Sequence, residues 1–263
     1  MAEKHSSVGQ ATERIRIVAN HRLIGVVTMR YAIVAAALLM SGCSTLPAAE
    51  MQLPSHLAMQ QAVPIHGVTG WTHGRFHSAD YQGGYERSER RMTFLDTFDR
   101  RAGHATFTVS GPEISSVIEG RCRMREKALQ FGSASFTTKP MAYRCEFLSD
   151  GRPFPARFEL HESVSNLQSA LNQYERRGEI ALGGEVLQIR SVHALKGTPL
   201  TTAAPIGYRF EQHGKIIGAV ETNGTPRLFV AAGTDPGVER TMFIGAMALA
   251  LLWDPAESQL GET

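Results

Sequence analysis

From Val63 onward, apolar and polar residues alternate through a series of short runs. Thr106–Ser110 places Phe107 and Val109 on one face. Ile114–Arg125 is a second run, interrupted by Gly120, and Ala134–Thr138 is a third. Met141–Leu148 sets Tyr143, Cys145 and Phe147 against Arg144 and Glu146. Period two over four to eight residues predicts strands with one buried face. Asp150-Gly151 is a turn signal, and Phe154–Leu160 returns as a strand. Glu185–Leu195, Ile206–Gln212, Lys215–Glu221 and Arg227–Ala231 repeat the theme, with His213-Gly214 and Asn223-Gly224 as turns, which predicts a meander. Between these runs, Arg87–Arg101 is rich in charge and reads as a solvated loop or a short helix.

The period changes twice. Leu167, Ala170, Leu171 and Tyr174 follow Ser165 at helical spacing, and Gly178 stands where a C′ glycine belongs, so a helix is expected near 165–177. Near the end, Asp235-Pro236 offers an N-cap with proline at the first helical position. Met242–Trp253 then runs apolar for twelve residues before Asp254-Pro255. As a helix that run measures roughly 18 Å, short of the ~30 Å hydrocarbon core of a bilayer. A helix apolar all round belongs inside protein. Phe243, Ile244, Leu249, Leu252 and Trp253 are its expected buried residues. The fold class is mainly β: an antiparallel barrel, or a two-sheet sandwich, with a buried apolar C-terminal helix.

The N-terminal region follows a different logic. Met29-Arg30 precedes an apolar run from Tyr31 to Met40, which ends in Ser41-Gly42-Cys43. A basic start, a short apolar stretch and small residues at a cut site form the layout of a secretory signal. Residues 1–42 read as that signal, with 1–28 either a long charged region or an extension upstream of a true start at Met29. They hold Lys4, Arg14, Arg16, Arg22 and Arg30 against Glu3 and Glu13, so the remainder carries 22 basic and 23 acidic residues, a net charge of −1. That balance leaves no basic footprint for nucleic acid. Residues 43–62, with Leu-Pro-Ala-Ala-Glu and Leu-Pro-Ser-His, read as a tether. Residues 63–255 read as one β-rich domain of two strand-rich halves, and 256–263 as a tail.

The Ser41-Gly42-Cys43 ending resembles the lipobox of bacterial lipoproteins, with Met40 where that family most often has leucine. The resemblance implies that Cys43 is acylated and becomes the N-terminus after cleavage. Ser44 at the next position resembles the outer-membrane sorting signal, given a Gram-negative envelope. The implied location is the outer membrane, facing the periplasm, with the membrane as partner through acyl chains and a periplasmic or outer-membrane protein as a further partner. The C-terminal half is similar in its elements to the tubby-like fold of tubby proteins, scramblases and LURP-one-related proteins, a barrel threaded by a C-terminal helix. That likeness rests on Gly207-Tyr208-Arg209-Phe210, the hairpin after it and the Ala/Leu-rich end. No binding residue is carried over from it.

Two cysteines remain after Cys43, at 122 and 145, each in a strand-like run. In a secreted chain such a pair is a disulfide candidate, and closing that loop would stabilise by about 3 kcal/mol. Catalytic signatures such as GxSxG, HExxH or a P-loop are missing, so no cofactor and no catalytic residue is expected. His73 and His77 have helical ligand spacing but sit in an extended run, where the two side chains stand about 13 Å apart. No metal site is expected there. Glu119, Arg121, Arg123, Arg125 and Glu126 cluster around Cys122 and read as the solvated face of a strand, or else as an anion site. The functional expectation is a non-catalytic structural or partner-binding lipoprotein. The alternatives are a module for lipids or other apolar ligands, and an enzyme with scattered residues.

Overall fold

A computed structural model describes residues 49–69, 72–94, 98–131, 134–163 and 174–254. Cys43, Trp71 and the centre of the expected helix at 165–177 lie outside them. Within them the alternating runs become twelve strands in one antiparallel sheet. In chain order they are β1 (Val63–Pro64), β2 (His73–Ser78), β3 (Tyr81–Phe94), β4 (Phe98–Ser110), β5 (Ile118–Phe131), β6 (Ala134–Ser149), β7 (Arg152–Glu162), β8 (Arg176–Leu182), β9 (Glu185–Val192), β10 (Gly207–Gln212), β11 (Lys215–Glu221) and β12 (Arg227–Val230). From β2 to β12 each strand pairs with its successor, a pure meander. Its ends come together around the chain at 63–66. Val63 and Pro64 pair with Leu228 and Arg227, and His66 bridges to His77 on β2. The imidazoles of His66 and His77 stack with centroids 5.1 Å apart at this seam. A single sheet curling onto its own ends is a nearly closed barrel, which excludes the sandwich.

Turn chemistry sets the hairpins. Asp150-Gly151 and His213-Gly214 both have positive φ at the two turn positions, as expected of tight turns compatible with strand twist. Two sequence expectations change. Within Arg87–Arg101, residues 87–94 and 98–101 are neither loop nor helix: they are the far part of the β3–β4 hairpin, paired in register from Gln82–Ser110 to Phe94–Phe98. Gly178 is not a helix C′ residue, because Arg176–Leu182 is β8 and Gly178 pairs with Leu160 and Ile189. Backbone ladders with both neighbouring strands outweigh the helical spacing at that end.

The lumen is filled by α2 (Pro236–Ala250), numbered after α1 (Ser55–Ala58). The Asp235 carboxylate accepts the Gly237 N–H at 2.8 Å, and Pro236 follows it, as a cap should. Thr241 through Leu249 are all buried, with no exposed stripe. Phe243 stacks on Tyr81 with centroids 4.1 Å apart, and Ile244, Leu249 and Leu252 are buried. Gly218 lets β11 approach the helix closely, since a Cβ there would lie 2.1 Å from the Met242 sulfur and 2.8 Å from the Phe229 carbonyl oxygen. No described helix is long and apolar enough to cross a membrane. Trp253 departs from expectation: it follows the helix, is only partly buried, and carries the Arg87 guanidinium 4.9 Å above its ring.

The described part of the expected tether is also corrected. Residues 49–58 lie on the outer wall instead of hanging free. Met51 and Leu57 are buried with Ile206 and Ala219 in a second apolar cluster. The Met51 N–H donates to the buried Glu221 carboxylate at 3.2 Å, and Arg227 pairs with the same carboxylate at 2.9 Å. Lys196 and Arg227 hold Glu50, and the Asn223 amide donates to the Ala49 carbonyl at 2.9 Å. Apolar side chains at 51, 53 and 57 have a greasy strip of wall to cover, so burial outweighs the disorder that proline and small residues suggest.

Candidate functional site

The two ends of the barrel differ. At the end where α2 starts, apolar side chains continue almost to the turns. At the end where α2 stops, inward-facing positions switch to polar and ionisable residues. Alternation along each strand brings them together: Arg87 and Glu89 on β3, Arg101 on β4, Glu126 on β5, Glu162 on β7, Arg176 on β8 and Tyr208 on β10, with Asp254 from beyond the helix. Register places Arg101 opposite Glu126, and Glu162 opposite Arg176.

Arg176 is the centre of this cluster. Its side chain is completely buried, and its two terminal nitrogens donate to Asp254 at 2.5 and 2.7 Å. A third bond runs to the Tyr208 hydroxyl at 3.1 Å. Burial alone would lower the guanidinium pKa, but Tyr208 and Asp254 more than offset that and raise it, so the charge persists. Burial pushes Glu162 up to about 7; Arg176 pulls the other way, and Glu126 and Asp254 add to the rise. Burial lowers His193, whose ring bonds to the Thr202 carbonyl at 3.0 Å and to the Ser191 hydroxyl at 3.1 Å. Tyr143 meets the helix end, donating to the Ala248 carbonyl at 3.0 Å, one of the acceptors that a helix terminus leaves open. Beside this cluster a cleft of about 370 Å³ opens, lined by Ala49, Arg87, Thr202, Tyr208, Asn223, Leu249 and Asp254 among others.

The remaining sequence candidates fall elsewhere. Cys122 and Cys145 oppose each other directly on β5 and β6, bonded, buried, with Cα atoms 3.9 Å apart. Their neighbours divide by parity. Arg121, Arg123 and Arg125 point outward and are exposed, as the solvated-face reading expects, and Arg121 pairs with Glu119 at 2.6 Å. Glu126 does not belong with them: it is buried on the inner face and pairs with Arg101 at 3.8 Å. Outside the barrel, Arg121, Arg123, Arg125 and Arg144 line a second cleft of about 560 Å³. His73 and His77 share one face of β2 and do not converge with a third ligand among the described residues. Sequence reasoning missed Arg176, Asp254 and Glu162. The available signal was a charged residue at an inward parity on each of several strands, but parity is readable only once register is known.

No protein-family model, no curated protein and no solved structure matches the chain.

Proposed function

We propose that this chain is the extracytoplasmic body of an envelope lipoprotein, anchored by acyl groups on Cys43, with a non-catalytic binding or structural role. The observation that carries the reading is the buried Cys122–Cys145 bridge, because protein disulfides persist in oxidising compartments outside the cytosol. It supports the secretory signal and lipobox read at residues 29–44. The filled lumen favours a structural or partner-binding role over carriage of lipid. Thr241–Leu249 occupy the interior where acyl chains would otherwise lie, and the cleft at the mouth is lined by Arg87, Tyr208, Asn223 and Asp254 as well as by apolar groups. The outer membrane is the proposed site in a Gram-negative host.

The test is the intact mass of protein extracted from washed membranes of the native host, with and without reduction. A mass that begins at Cys43 with acyl groups added, and that gains two hydrogens on reduction, supports the proposal. A mass that begins at Met1 or Met29 without lipid refutes it.

A further inference from the structure

The clamped segment at residues 49–53 has a geometric consequence. Ala49 reaches the body at the polar mouth, where it lines the cleft and is bonded to Asn223. Only six residue steps separate it from Cys43, and six steps of extended chain span about 20 Å at most. Because Glu50, Met51 and Gln52 are all bonded to the wall, the leash starts at Ala49 and gains no length from the segment behind it.

The rim around Ala49 has its own composition. Two loops flank it: residues 193–206, between β9 and β10, and residues 222–226, between β11 and β12. Neither contains an Asp or Glu. The first presents Leu200 just after its turn, 66% exposed. Tyr174, 40% exposed, joins it, with its N–H bonded to the Ala203 carbonyl at 3.0 Å. At the opposite end of the barrel acid outweighs base: Asp80, Glu113, Asp150, Asp235 and Glu239 stand in its connections and the first turn of α2, against Arg152, Lys215 and Arg240. An anionic bilayer surface would disfavour that end, and it would accept a rim whose loops carry no acid and present an aliphatic side chain and an interfacial tyrosine, with Lys196 balanced by Glu50.

We infer that the polar mouth is the membrane-facing surface of the protein, with the 193–206 loop seated in the lipid headgroup region through Leu200 and Tyr174. This rests on the acyl anchor proposed above. The acidic end then points away from the bilayer, and the mouth cleft opens at the level of the headgroups. The occupant of the exposed apolar rim is the bilayer itself.

The experiment uses the processed protein recovered from membranes, with its acylation established by intact mass. A Leu200→Cys variant is labelled with an environment-sensitive fluorophore, and a His213→Cys variant, on the β10–β11 turn at the far end, serves as the reference. With Cys43 acylated and Cys122–Cys145 bonded, the introduced thiol is the reactive one. Both proteins are reconstituted in vesicles of phosphatidylethanolamine and phosphatidylglycerol containing nitroxide-labelled lipid. The expected result is a blue shift and loss of emission at 200, with emission at 213 retained. Equal quenching at both sites, or quenching at 213 alone, overturns the orientation while leaving the anchor intact. A blue shift at 200 that needs no vesicles assigns the rim to a second copy of the chain and also overturns it. A mass without acyl groups overturns the anchor, and the orientation falls with it.

Discussion

Replacing Asp254 with alanine isolates the cost of the buried charge at the mouth. The Arg176 side chain has no solvent exposure, and Asp254 supplies two of the three bonds described for its terminal nitrogens. Removing one partner of a buried pair costs about 3–5 kcal/mol, because the other charge stays desolvated. Tyr208 remains in place, and the carboxylate position is itself 15% exposed, so water can follow the vacated side chain. The lower end of that range, about 3 kcal/mol, is the expected loss. For a domain of this size, that corresponds to a fall in Tm of roughly 6–12 °C. Arg176→Met removes the charge that is fully buried and leaves the carboxylate that water can reach, so its expected cost is about 1–2 kcal/mol. The double variant should cost clearly less than the sum, since the two side chains interact directly. Urea denaturation followed by circular dichroism, without reductant, measures all three. A loss below about 1 kcal/mol for Asp254→Ala, or strict additivity in the double variant, would refute the reasoning.

Other consequences are open to similar measurement. Glu162 binds its proton more tightly folded than unfolded, so stability should fall as pH rises from about 4.5 to about 7 and stay reduced above it. Glu162→Gln should flatten that window and gain about 1–2 kcal/mol at pH 8, discounted for partial exposure; an unchanged pH slope would exclude Glu162 as the cause. Reducing Cys122–Cys145, or replacing both with alanine, should cost about 3 kcal/mol, seen as a lower urea midpoint; a midpoint indifferent to reductant would contradict this. Gly218→Ala should destabilise by about 1–3 kcal/mol, because its methyl group meets Met242 and the Phe229 carbonyl. Adding Met242→Ala should recover only part of that loss, as the backbone contact remains, and full recovery would mean that the sulfur alone sets the fit.

Much of the architecture is local information. Period-two alternation, Asp150-Gly151, His213-Gly214 and the apolar run after Asp235-Pro236 are each satisfied within a few residues, so strands, turns and the interior helix are legible along the chain. The cysteine pair is legible for the same reason, since each cysteine stands at an apolar parity in its strand. What the chain conceals is any position whose meaning depends on a distant partner. Arg87–Arg101 looks solvated because charge appears on both faces. Its inner face faces a lumen where Glu126 meets Arg101 and Trp253 lies beneath Arg87. Arg176 is indistinguishable from Arg177 until register turns one inward and the other outward. The segment at 49–58 looks like a tether until β9, β10 and β11 assemble a wall for Met51 and Leu57 to cover. Alternation and turn chemistry are short-range steric and solvation effects that the sequence carries by itself. Closure of the barrel decided which charges meet, because only closure brings residues 87, 126, 162, 176 and 254 to one mouth, with Arg176 buried at its centre.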